Sequence, residues 1–211
     1  MLRALNLSIS PEAGWQKTAL NPPNAFVVLL ASILPLMILD LAVEGYALMK
    51  YGEAFGDLGR HAVSTERVLK YTIFYGIASL AVILIGAGLL RNVGSTFNLQ
   101  VSYGAWLVLL GMVYTPIFLA RMLDAVPAIN SWICWAIGVL LALRILYHGV
   151  GGWLRPEQTK GFGLFLITFM YILVVSGLVH FAAIQVLQGK LLKNVGEQPT
   201  VAFAPFATLA L

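Results

Sequence analysis

Charge is the first thing this chain is short of. Only 10% of its 211 residues are Asp, Glu, Lys or Arg, against about 25% in a soluble globular domain. So few charges cannot cover a water-facing surface, which excludes an ordinary soluble fold. A single cysteine, Cys134, excludes an internal disulfide. It stands inside an apolar run and reads as an inert, buried thiol. The three histidines form no HExxH, and the chain contains no CxxC and no phosphate-cradling glycine loop. His148 and His180 cannot share a haem iron. One closes a helix, and the other lies 18 residues into the next, about 27 Å away at 1.5 Å per residue. These gaps leave no support for a catalytic residue, a cofactor or a metal, and the chain reads as non-enzymatic.

What is abundant is apolar. Hydrophobic residues make up 60% of the chain and the mean hydropathy is +0.87. A spanning helix needs about 20 mostly apolar residues, and five runs qualify: 25–49, 68–90, 101–123, 127–148 and 162–187. The expected fold is all-α, a polytopic transmembrane bundle of five helices preceded by a short interfacial helix. It divides into an N-terminal segment (1–24), a membrane domain (25–187) and an apolar tail (188–211). The first run follows Pro22 and Pro23 and is long enough to be a retained helix rather than a signal peptide. The net charge is +4, with basic residues scattered between the runs. That suits lipid headgroups and topology signals and gives no reason to expect nucleic acid.

Near the start, "SPEAGWQKTAL" reads as a short helix. Ser10 can cap it, Pro11 fits its first position and Glu12 suits its N-terminal dipole. Trp15 and Lys17 suit a membrane–water boundary, which makes the helix interfacial; a plain solvated arm is the alternative. The third and fourth runs are joined by few residues and should be antiparallel neighbours. The tail is apolar, too short to span, and broken by Pro199 and Pro205. Such a tail needs a surface to pack on, so Phe203, Pro205 and Phe206 are candidate contacts with a partner subunit or with the bundle itself.

Five crossings put the termini on opposite sides. The N-terminal side, here side A, collects six basic residues and side B seven, so the positive-inside count does not decide the orientation. Carboxylates differ more, with Glu12 and Glu157 on side A and seven on side B, a hint that side A is cytoplasmic.

Asp40 and Glu44 stand four apart, on one face of the first helix. Intramembrane carboxylates are costly and find partners or face water. Counting helix directions brings Lys70, Arg121 and His180 to the same side, giving an intramembrane polar cluster of Asp40, Glu44, Lys70, Arg121 and His180. It can be structural, or it can hold a proton or a cation. At side A, Arg91, Arg144, His148, Arg155 and Lys160 are candidate headgroup contacts. Tyr46, Tyr51, Trp132, Trp135, Tyr147 and Trp153 lie near helix ends and read as interfacial belts. Gly86, Gly88, Gly104 and Gly111 could let helices approach closely.

Two prolines interrupt spans. Pro116 removes the donor for the carbonyl of Met112, and the hydroxyl of Thr115 can bond back to the carbonyl of Gly111. Pro35 does the same to the carbonyl of Ala31, with Ser32 nearby. Kinks are expected at Pro35 and at Thr115–Pro116. Pro127 fits the first turn of the fourth helix.

The order of these features resembles the bacterial branch of the Yip1 family of five-span membrane proteins. The residues that carry the likeness are "GMVYTPIFLARMLDAVPAINSWICWAIGVLLALRILYHGV", with Tyr114, Thr115 and Pro116 in the third helix, Pro127 opening the fourth, and Leu146, Tyr147 and Gly149 closing it. Lys160 and Gly161 then lead into the fifth helix, and "SPEAGWQ" resembles the family's N-terminal segment. The Asp-Leu-Tyr-Gly-Pro signature of the eukaryotic members is replaced by "NPPNAF". The resemblance implies a bacterial inner-membrane protein with a cytoplasmic N-terminus. Three functions follow as expectations. One is a scaffold or accessory subunit among lipids and other membrane subunits. The second is a small ion-coupled permease using Asp40 and Glu44. The third is a membrane-shaping protein.

Overall fold

Four of the long helices begin in the same way. The side-chain oxygens of Asn24, Ser64, Ser102 and Asn130 accept the backbone N–H of Phe26 (2.9 Å), Arg67 (3.4 Å), Ala105 (3.3 Å) and Trp132 (2.8 Å). Each bond satisfies a donor that the first helical turn would otherwise leave unpaired. The computed structural model describes residues 7, 9–52, 63–126 and 129–191.

A short helix, α1 (Pro11–Leu20), precedes five long ones. Helix α2 covers Ala25–Tyr51, α3 Thr65–Thr96, α4 Tyr103–Arg121, α5 Ser131–Gly149 and α6 Gln158–Leu187. A tight turn, Met122–Ala125, prolongs α4, and a wide π turn, Val150–Leu154, prolongs α5. No strand occurs among the described residues. Five of the helices are long and apolar enough to cross a membrane, so the protein is a polytopic helical membrane protein.

Helix α4 is the central post. It is apolar all round, and an all-round apolar helix finds its place inside. In its most apolar stretch 83% of the residues are buried, against 28–44% in the other spans. Helix α5 lies directly against it. Gly138 makes this possible, because a Cβ there would stand 2.8 Å from the Cα of Ile117 and 3.3 Å from the carbonyl oxygen of Pro116. The proline of α4 thus faces the glycine of α5. The glycines expected to bring helices together act differently. Gly86 accepts the ring of Tyr171, Gly111 the side chain of Ile33, and Gly104 the methyl of Ala25, while Gly88 has only Tyr103 near it. They seat side chains, whereas Gly138 seats backbone.

Both proline-bearing spans stay helical. In α4 the hydroxyl of Thr115 donates to the carbonyl of Gly111 at 3.2 Å, as its position predicts. In α2 a π turn, Leu29–Ile33, precedes Pro35, and the N–H of Leu34 reaches back to the carbonyl of Leu29. The wider turn realigns the ladder ahead of a residue that cannot donate.

Three expectations need correction. The fourth span starts at Ser131 and not at 127, because Asn130 is extended and its side chain caps the helix by accepting the N–H of Trp132. Ser10 stands at the cap of α1, but its side chain makes no capping bond. Trp15 is not a boundary anchor: it is wholly buried, donates its indole N–H to the carbonyl of Ile145 at 2.9 Å, and packs beside Trp153 at 6.1 Å. A buried indole with its one donor satisfied is a strong clamp, and it fastens α1 to α5. Pro127, the connection at 53–62 and the tail residues Phe203, Pro205 and Phe206 lie outside the described residues.

Candidate functional site, a buried charge cluster

Five helices deliver polar side chains to one place at the side-B end. Asp40 and Glu44 come from α2, Tyr71 and Tyr75 from α3, Arg121 from the end of α4, Ser131 from the start of α5, and His180 from α6. Asp124, in the turn after α4, joins them.

Arg121 is the centre and is fully buried. One terminal nitrogen reaches both oxygens of Glu44, at 2.6 and 2.7 Å, and the hydroxyl of Tyr71 at 2.6 Å. Tyr71 in turn donates its proton to Glu44. The other terminal nitrogen lies 2.6 Å from Nδ1 of His180. The guanidinium plane sits 3.9 Å from the ring centre of Tyr75, a cation–π contact shielded from water.

The donors fix the state of His180. A guanidinium only donates, so Nδ1 accepts and the ring hydrogen belongs on Nε2. That atom faces the hydroxyl of Ser131 at 3.3 Å, and Ser131 donates to Asp124 at 3.0 Å. A chain of bonds therefore runs Arg121, His180, Ser131, Asp124. The imidazole is held between Trp132, edge-on at 4.6 Å, and Trp135, parallel at 6.4 Å.

Asp40 is the exception. It is fully buried, yet neither of its carboxylate oxygens has a hydrogen-bond partner. The nearest cationic atom is Nε of Arg121, 3.9 Å away and itself without an acceptor. Glu44 offsets the charge of Arg121, so Asp40 and Asp124 are left facing a single shared guanidinium. A charge in such a place is expensive unless it is paired.

Four of the five expected members thus come together, and Lys70 does not. It pairs with Glu66 one turn back, at 2.6 Å, on the outside of α3. Its place is taken by Tyr71, with Tyr75, Asp124 and Ser131 as further members that sequence reasoning missed. Tyr71 and Tyr75, four apart, were the available signal.

At side A, Lys160 pairs with Glu157 at 2.7 Å, and Arg155 turns back to the carbonyl of Gly152 at 3.2 Å. Arg144 and His148 line a hollow beside α1, and Arg91 lines another beside the α3–α4 connection. Tyr46, Tyr51, Trp132 and Tyr147 are exposed near helix ends. Trp135 and Trp153 point inward instead, to Ser176 at 3.2 Å and to the carbonyl of Ala105 at 2.9 Å.

Fold and site together define a class, the polytopic helical membrane protein closed around a buried arginine. Compared with protein-family models, with curated proteins and with solved structures, the chain matches none of them.

Proposed function

We propose that this is a non-enzymatic integral membrane protein of the Yip1 type, serving as a scaffold or accessory subunit of a larger membrane assembly. Its home is a bacterial inner membrane, with the N-terminus in the cytoplasm. The observation that supports this most is the closure of the cluster. Every span contributes to one knot around Arg121, whose side chain has no access to solvent. A knot of that kind holds helices in fixed register, which is what a scaffold needs. Extraction in mild detergent, followed by affinity capture and mass spectrometry, tests the reading. A large membrane complex recovered in fixed stoichiometry supports it, and a lone monomer overturns it.

A second reading rests on Asp40. A buried carboxylate without a hydrogen-bond partner is a feature of proton and ion pathways. On that reading, purified protein in liposomes carries a proton- or cation-dependent flux, and Asp40→Asn abolishes it. Absent flux, or flux unchanged by the substitution, removes the permease.

A further inference from the structure

At side A, α1 roofs a groove that the charge cluster does not touch. Two hollows of about 580 and 350 Å³ lie along it and share Glu12, Gln16 and His148 among their walls. The smaller adds Arg144. The larger adds Tyr147, Phe162 and Phe165, over a floor that includes Gly151. The roof is fixed in place, because Trp15 clamps α1 to the carbonyl of Ile145.

The two charged walls have opposite signs, and among the described residues each lacks an ion-pair partner. Glu12 and Arg144 are exposed, while at the same end of the bundle Lys160 and Glu157 satisfy each other at 2.7 Å. The apolar part is aromatic and opens outward. Tyr147 is 62% exposed and Phe162 65% exposed, on spans whose outer surface meets acyl chains. Tyr147 and Phe162 flank Phe165, with ring centres 5.6 and 6.2 Å from it.

A base, an acid and an aromatic slope in one groove match a particular kind of molecule. We infer that the groove binds a single phospholipid whose headgroup carries both a phosphate and a primary ammonium, as in phosphatidylethanolamine. The phosphate meets Arg144 and His148, the ammonium donates to Glu12 and Gln16, and an acyl chain lies along Tyr147, Phe162 and Phe165. A purely anionic headgroup would bring its charge against Glu12. A choline headgroup has no N–H to donate, so it leaves that carboxylate without a charge-assisted bond. The site is independent of whether the chain works in a larger assembly.

The test uses delipidated full-length protein in mild detergent, offered phosphatidylethanolamine, phosphatidylcholine or phosphatidylglycerol with identical acyl chains, with retained lipid read by native mass spectrometry. The wild type is expected to retain the ethanolamine lipid over the other two by about tenfold, the scale of one charge-assisted hydrogen bond. Arg144→Gln removes the retention. Gly151→Phe also removes it by filling the groove, because a Cβ at 151 meets nothing within 4 Å. Glu12→Lys reverses the preference toward phosphatidylglycerol, which a merely structural role for Glu12 would not produce. Protection of Cys134 from a thiol reagent shows that each variant is folded, and Arg144→Gln, at an exposed position, carries the test alone if Gly151→Phe opens the bundle. Equal retention of the three lipids, preference of the wild type for phosphatidylglycerol, or unchanged retention in Arg144→Gln overturns the proposal.

Discussion

Arg121 gives one terminal nitrogen to both oxygens of Glu44, at 2.6 and 2.7 Å, with the arginine fully buried and the glutamate 4% exposed. An ion pair of this kind need not be stronger than an apolar substitute, but removing one partner strands the other. Glu44→Leu should therefore lower stability by about 3–5 kcal/mol. Because Arg121 also faces the buried carboxylate of Asp40, it is the triple variant Asp40→Asn/Glu44→Leu/Arg121→Met that should recover much of the loss. Cys134 is the chain's one cysteine and is buried, so a thiol-reactive dye followed through a thermal ramp reports the opening directly. Equal transitions in wild type and Glu44→Leu would contradict the pairing.

Asp40 should behave in the opposite way. Its oxygens have no hydrogen-bond partner, and replacing it strands no cation, because Glu44 still holds Arg121. Asp40→Asn is expected to change stability by no more than about 1 kcal/mol, in the stabilising direction. The same ramp measures it. A loss as large as that of Glu44→Leu would mean that Asp40 is a structural partner after all.

Trp15 fastens α1 through one hydrogen bond and a packed ring. Trp15→Phe keeps most of the ring and loses the bond to the carbonyl of Ile145, at a cost of about 1 kcal/mol. Trp15→Ala loses both, about 3–5 kcal/mol. Limited proteolysis separates them: the alanine variant should be cut within the first 24 residues while the five spans stay intact, and the phenylalanine variant should resist.

The α4–α5 contact can be tested at two glycines. Gly138→Ala places a methyl 2.8 Å from the backbone of Ile117 and should cost about 1–3 kcal/mol, the range for overpacking. Gly151→Ala meets nothing within 4 Å and should leave the thermal transition where it is. Equal effects at the two positions would argue against a tight crossing at Pro116.

The five spans were legible because long apolar runs are hard to mistake. Much of the cluster was legible too. Helix direction and residue count give the depth of each charge, which was enough to bring Asp40, Glu44, Arg121 and His180 together. Lys70 failed because depth is only half of a position in a bundle. The other half is the angle around the helix. The buried stripe of α3 passes through Val68, Tyr71, Tyr75 and Ser79, in steps of three or four, and Lys70 is turned about 100° away from Tyr71. Tyr71 and Tyr75 look apolar in a hydropathy pattern, which hides hydroxyl groups that answer a buried arginine. Trp15 misled for a related reason. A tryptophan on a short helix reads the same whether it faces lipid or protein, and only the space beside Gly149 and Gly152 decides.

The order in which the cluster's members are made carries a consequence for the nascent chain. Glu44 precedes Arg121 by 77 residues, and Arg121 precedes His180 by a further 59. The first helix therefore leaves the ribosome with two carboxylates and no cation within the membrane to meet them. Until the third span arrives, its carboxylates carry the cost of an unpaired charge in the membrane unless they reach water or a polar protein wall. Arg121, carried by the third span, is the residue that lifts this cost from Glu44, and His180 joins it only with the fifth.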